Sequence, residues 1–414
     1  MTKARILADY AGTGATTDLA TQAELDAVST VASAALPKAG GTMTGDLVPA
    51  TPMSHRNMII NGGMQVWQRA TAATTVADGY FTADRYYGYK NAGGTFTTER
   101  IALSTADMAA TGHAYALGLK CTGADTSVAA ADEGYIMQRI EAQDLLHLNW
   151  GSSSAKDLTL SFWIRSNKTG TYVLGINWRG SGGTWHYLPI EYTISSANTW
   201  EQKKLLISPT AGSTTLITSA GAEGRAGDTT RGMQVIWWLI AGTNHHTANN
   251  TWATTGSGVT SNQVNWFDST SNTLDITGVQ LELGSSATPF EHRSYAEELT
   301  RCHRYYYQHI DSVSAAGGAI VGKGAYNSST QFEFFCMFPQ EMRAIPSLVY
   351  STGTGWWRIH ANATTDDFNS FAIHSAGKTT TSLYTSSGAS GTAGHGGNPV
   401  CNNSGCRVAF NAEL

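Results

Sequence analysis

Charge is scarce in this chain: only 14% of its 414 residues are Asp, Glu, Lys or Arg, and the net charge is −5. A typical soluble domain carries about a quarter of such residues. No basic stripe is available to hold a phosphate backbone, so no nucleic-acid partner is expected. Long hydrophobic runs are missing as well. The longest, "MQVIWWLIA" from Met233 to Ala241, is too short to cross a bilayer, and no membrane insertion is expected. The opening "MTKARILADYAG" has no apolar run followed by a small-residue cleavage site, so no secretory signal is read there. Cysteine is sparse, scattered and odd in number, at five. That argues against a disulfide framework and for folding in a reducing compartment.

Catalytic motifs are equally thin. There is no Gly-x-Ser-x-Gly elbow and no His-Glu-x-x-His. Glycan cleavage needs two carboxylates facing each other across a cleft. The pairs Asp366-Asp367, Glu297-Glu298 and Asp132-Glu133 are adjacent in sequence, which sends them to opposite faces of a strand or splays them on a helix. "GGAIVGKG", Gly317 to Gly324, nearly spells a phosphate loop but ends in glycine where the magnesium-binding hydroxyl belongs. Cys401 and Cys406, with His395 upstream, depart from zinc-knuckle spacing; two free thiols or a local disulfide fit better. His245-His246 and the group Arg301, His303, Arg304 and His309 read as solvated or stacked side chains. No enzyme activity, metal or cofactor is expected.

What the chain does have begins with a short helical lead. In "DLATQAELDAVSTVASAAL", Leu25, Val28, Ala32 and Ala35 share one face, with Thr21 as cap and Glu24 three residues on. About two heptads cannot hold a helix alone in water, so this one must lean on copies of itself or on a neighbour. Pro37 and the Gly40-Gly41 pair then stop it. Together with "AGGTMTGDL", Ala39 to Leu47, this segment resembles the trimeric neck of bacteriophage tail fibres and other tail appendages. "RNMIINGGMQVWQRAT", Arg56 to Thr71, with "ADRY" at Ala83 to Tyr86, resembles the opening of a module of tail-fibre-like proteins, and "LDITGVQLELGSSATPFEHRSYAEELTRCHRYY", Leu274 to Tyr306, resembles its close. The resemblance implies a homotrimeric virion protein, made in the host cytoplasm, mounted on a tail hub, nozzle or adaptor fibre, with a jelly-roll body of carbohydrate-binding-module type. It names no ligand.

Between those ends the residues alternate as strands of a sandwich. Leu158, Leu160, Phe162 and Ile164 point one way, while Thr159, Ser161, Trp163 and Arg165 point to a wet face. Leu188, Ile190, Tyr192 and Ile194 repeat the pattern; "MQVIWWLI" is apolar on both faces and reads as a covered central strand. The apolar phase of "TLDITGVQLELG" switches after Ile276, which a β-bulge near Gly278 accommodates. Ser294 and Glu297 make a capping box for a helix with Tyr295, Leu299, Cys302 and Tyr306 on one face, joining the sandwich to a last domain. There, "QFEFFCMF" turns Phe332, Phe334, Cys336 and Phe338 inward, and the Gly/Ser/Thr/Asn-rich stretch from Ser375 to Cys406 reads as exposed loops over a small β core. The expected architecture is mainly β: a neck over residues 1–48, a jelly-roll β-sandwich over 49–293, and a linker helix and tip over 294–414.

Twelve tryptophans and seventeen tyrosines are many for so uncharged a chain. An aromatic face suits the slightly positive C–H face of a sugar ring, and nearby amides and carboxylates suit its hydroxyls. The candidates for glycan binding are Trp356, Trp357 and Arg358 at the tip, and Trp185, His186 and Trp252 in polar surroundings of the sandwich. Tryptophan in a sandwich also fills cores and subunit contacts, and that reading stands beside the first. The function expected is host adsorption through a bacterial surface glycan. The alternatives are a connector or decoration fibre without a receptor site and a polysaccharide depolymerase tailspike.

Overall fold

The computed structural model describes residues 55–225, 228–311 and 319–414, together with Asp26. The neck residues Leu25, Val28, Ala32 and Ala35 lie outside the described residues. Strands are numbered along the chain. One sheet holds β1 (Thr74–Thr75), β4 (Thr95–Ala102), β5 (Tyr115–Gly123), β7 (Leu158–Ser166), β10 (Glu201–Ile207) and β12 (Thr273–Leu283), in the order β1-β4-β5-β12-β7-β10. The other holds β2 (Asp78–Tyr80), β3 (Tyr86–Asn91), β6 (Glu133–Glu141), β8 (Gly170–Arg179), β9 (Trp185–Ile194) and β11 (Arg231–Ala241), in the order β2-β3-β6-β11-β8-β9. The chain crosses repeatedly from one sheet to the other, and the two form a jelly-roll sandwich with antiparallel pairing.

Side-chain period decides what lies between the sheets. Leu158, Leu160, Phe162 and Ile164 of the first sheet meet Leu174, Ile176, Trp178, Val235 and Trp237 of the second in one core. Strand β11 sits between β6 and β8 and is buried on both faces from Gly232 to Ile240, as its unbroken apolar run predicts. The bulge also falls where the phase switches: the β12–β7 register shifts between Thr277 and Gln280, and Gly278 takes φ +61°.

The outer face of β7 is less wet than its alternation predicts. Thr159 and Ser161 are buried, because Thr288 to Glu291 fold back over Gln280 and Glu282, their cross-strand neighbours. The two stretches that close and open the module therefore meet. Asn57 donates its side-chain amide to the Val279 carbonyl at 3.0 Å, the Glu291 carboxylate accepts from the backbone of Arg56 and Asn57, and Arg293 donates to the carbonyls of Asn57 and Ile59.

The helix Tyr295–His303 is capped by Ser294, whose side chain accepts from the Glu297 N–H. Of the expected face, Cys302 and Tyr306 are buried and Leu299 is half-buried, whereas Tyr295 is exposed and Glu298 is buried in its stead, a correction. The carboxylate accounts for the rotation: Glu298 accepts from the Asn61 backbone N–H and pairs with Arg293. A buried carboxylate with such partners outweighs an apolar face of one tyrosine.

Beyond the helix, β13 (Tyr306–Ile310), β22 (Val408–Asn411) and β16 (Ser347–Tyr350) form a three-stranded sheet. A seven-stranded sheet contains β14 (Lys323–Ser328), β15 (Gln331–Met337), β17 (Trp357–Ala361), β18 (Thr364–Phe368), β19 (Ala372–Ala376), β20 (Thr380–Thr385) and β21 (Gly396–Cys401), in the order β18-β17-β21-β14-β15-β20-β19. They enclose a second core around Phe332, Phe334, Trp357, Phe371 and Phe410. Much of Ser375 to Cys406 is thus strand rather than loop, since Leu383 and Val400 supply core side chains at the strand period. Buried ion pairs bind this region to the sandwich: Arg69 and Arg85 pair with Glu413, and Arg304 makes two bonds of 2.7 and 2.8 Å to Glu141.

Candidate functional site

The outer face of the second sheet carries a cleft of about 260 Å³ whose lining includes Glu133, Tyr135, Asn177, Trp185, Tyr187, Arg231, Gln234 and Trp238. Alternation places these side chains. Because Tyr172, Leu174, Ile176 and Trp178 of β8 enter the core, Asn177 and Arg179 must face out. Because Leu188 and Ile190 of β9 enter the core, Trp185 and Tyr187 face out and His186 faces in.

Register then brings them into rows. Gln234, Asn177 and Tyr187 are direct cross-strand neighbours, as are Trp238, Tyr135 and Tyr89. The rings of Tyr89 and Tyr135 stack at 5.2 Å, and Trp238 meets Tyr135 edge-on at 5.0 Å. Gly175 makes room for that indole: a Cβ there would lie 2.7 Å from Trp238 Nε1. A segment running from Gly242 covers one end, with Val259 packed against Trp238 and Ala253 bonded both ways to Tyr187.

The polar atoms of this cleft are only half spent. Asn177 donates to Gln234 Oε1 at 3.2 Å, but its own Oδ1 has no partner among the described residues, and neither has Trp238 Nε1. Asn177 is 7% exposed and Trp238 1%. A buried acceptor and donor left open cost about 1–3 kcal/mol each unless water or a ligand meets them. Both atoms are covered by backbone, Trp238 Nε1 by Gly175 and Asn177 Oδ1 by Gly258; the half-buried faces of Tyr135, Trp185 and Tyr187 can hold a polar ring through C–H/π contact. At the far end Glu133 lies 3.8 Å from His245, and burial raises its pKa against the opposing effects of His245 and Tyr89.

Of the six side chains expected to bind glycan, only Trp185 lines this cleft. Trp252 is a correction: it is 2% exposed, packs on Trp150 at 5.6 Å and donates its indole N–H to the Ser208 carbonyl. Its polar neighbours in sequence conceal a partner 44 residues away. His186 is likewise buried on the inner side. In the C-terminal region Trp357 fills the second core, its N–H given to Ser351, while the adjacent Trp356 is half-buried. Arg358 is taken by Asp367 through two bonds. Asp366 turns the other way and accepts from Tyr326, so that carboxylate pair does not converge.

A second cleft, of about 630 Å³, lies beside the helix Tyr295–His303 and is lined by Trp67, Tyr295, His303, Tyr307 and His309 among others. Its rings are mostly committed: Trp67 donates to the Met64 carbonyl, and His309 bonds Tyr307 and the Val321 carbonyl. Cys401 and Cys406 form a disulfide, resolving the two readings of that pair; Cys121, Cys302 and Cys336 are free and buried. Among the described residues no three His, Cys, Asp or Glu side chains converge as metal ligands, and no helix is long and apolar enough to cross a membrane.

No family model matches the chain, and no curated protein is similar to it. Among solved structures, the enzymatically active domain of bacteriophage CBA120 tailspike protein 4 is 13% identical, with a TM-score of 0.26; the match covers 55% of this chain and only 21% of that one. A putative sugar binding protein from Bacteroides thetaiotaomicron VPI-5482 is 12% identical, with a TM-score of 0.29, over 55% of this chain and 100% of its own. The family 11 carbohydrate-binding module of the Clostridium thermocellum cellulase Lic26A-Cel5E is 12% identical, with a TM-score of 0.25, over 54% and 99%.

Proposed function

We propose that this chain binds saccharide in the outer cleft of its second sheet, and that it serves as a bacteriophage tail fibre that attaches to a host surface glycan. The observation that carries the binding reading is the cleft itself, in which the half-buried rings of Tyr135, Trp185 and Tyr187 stand beside the amides of Asn177 and Gln234. Binding rather than cleavage is supported by the lining, where Glu133 is the one carboxylate; hydrolysis calls for two. The virion role rests on the resemblance of residues 39–47, 56–71 and 274–306. A homotrimer on other tail proteins would multiply a weak single contact through effective concentration. Phe335 and Met337, exposed at 61% and 75% on β15, are apolar area that further copies would cover.

The test has two arms. Purified protein is expected to block phage adsorption to the host, and Trp185→Ala is expected to weaken its binding to host polysaccharide about tenfold, equivalent to about 1.4 kcal/mol. Unchanged binding by Trp185→Ala would remove the cleft from the account. Light scattering on the full chain decides the trimer.

A further inference from the structure

The cleft has a charged end whose cations are unspent. Arg179, the cross-strand neighbour of Trp185, and Arg231 both lie near its ring, their guanidinium carbons 5.6 and 5.9 Å from its centroid. Neither forms an ion pair among the described residues. The carboxylates that could neutralise them are occupied. Glu141, the register partner of Arg231, gives both oxygens to Arg304, and Asp228 pairs with Arg225 at 2.7 Å. Arg139, the cross-strand neighbour of Gln234, stacks on Tyr87 at 3.9 Å and donates to a Leu414 oxygen. Burial first, then Arg139 and Arg179, push the Arg231 pKa below its ordinary value, as expected of cations gathered without a counter-ion.

We infer that the saccharide held in this cleft is anionic, with its carboxylate or phosphate received by Arg231 beside Trp185. The inference rests on the saccharide reading and sharpens it. A guanidinium presents paired N–H donors that match either anion, and it retains its charge at any working pH. Asn177, Gln234 and Tyr187, which line the same cleft as Arg231, are neutral and would meet hydroxyls. Glu133 stands at the opposite end: its register partner is Ala241, whereas Arg231 begins the same strand. The acid would therefore not oppose an anion seated at Arg231. A free inorganic anion would leave the aromatic faces unused, and a nucleic acid would face a chain of net charge −5.

The experiment uses the full chain and an array of glucuronate-, galacturonate- and sialate-bearing oligosaccharides, each beside its carboxyl-reduced counterpart, and sugar phosphates beside their dephosphorylated forms. The expected result is a preference of about tenfold for the charged member of at least one pair, a preference that shrinks as salt rises and collapses toward unity in R231Q. The ratio within a pair is read, so a general loss of affinity does not mimic the result. Should R231Q fold poorly, R179Q and the salt dependence of the unaltered protein give the same reading. Equal binding of charged and neutral members, or a preference that R231Q leaves intact, overturns the inference while the saccharide reading stands. No binding to any member overturns both.

Discussion

The sandwich and the C-terminal sheets are both rich in aromatic rings and arginine, yet they use them differently. In the C-terminal region Arg358 is matched to Asp367 and Trp357 to the Ser351 carbonyl. Arg407 Nε is the sole buried side-chain polar atom without a partner there, among the described residues. The sandwich leaves more such atoms without a partner, Asn177 Oδ1 and Trp238 Nε1 beside the cleft and others, such as Tyr192 Oη and Trp237 Nε1, in its core. Residue type therefore does not locate a binding surface here. A cleft lined by rings on the outer face of a sheet does.

The comparison breaks first on stability. Trp252 and Trp357 lie in separate cores, and either truncation to alanine is expected to cost about 3–5 kcal/mol, measured by chemical denaturation. Trp185→Ala and Trp356→Ala, on half-buried rings, are expected to cost well under half of that. If Trp252→Ala were to remove binding with little loss of stability, the assignment of that ring to the core would fail.

Acid offers a second handle on the sandwich. Burial, then the neighbouring His292, lowers His113 from 6.5 to about 4. Between these values the unfolded chain binds the proton and the folded chain does not. Stability from His113 is complete above pH 6.5 and falls as pH drops toward 4, by about 3 kcal/mol in total. His113→Gln is expected to flatten that part of the stability profile, and hydrogen exchange is expected to show β5 loosening before β15 in the unaltered protein. Parallel profiles for the two proteins would place the acid sensitivity elsewhere.

Much of the fold was legible because period and burial coincide: β7, β9 and β11 follow their apolar phase, and the bulge at Gly278 follows its interruption. The same alternation, carried two residues upstream of Leu188, would have turned His186 inward and Trp185 outward. The rest of the cleft was not legible. Tyr135, Asn177 and Trp238 come from three strands, and only register makes them neighbours. Trp252 misled because its surroundings in sequence are polar while its hydrogen-bond acceptor is Ser208, supplied by a distant loop. Glu298 is the converse case, a charged residue whose burial depends on the distant Asn61 backbone and Arg293.

The smallest expected effect is the sharpest test of the contrast. Arg358 sits beside Trp356 and Trp357 and, on residue type, makes as good a sugar site as Arg231 beside Trp185. Its guanidinium is bound by Asp367 in a fork of two bonds near the surface, where an ion pair contributes little to folding and the cation already has its counter-ion. Arg358→Ala is therefore expected to leave saccharide binding unchanged and the melting temperature nearly so, whereas R231Q alters ligand preference. A loss of binding in Arg358→Ala, with the cleft variants unaffected, would move the site to the C-terminal sheets and show that a satisfied pair opens to receive its ligand.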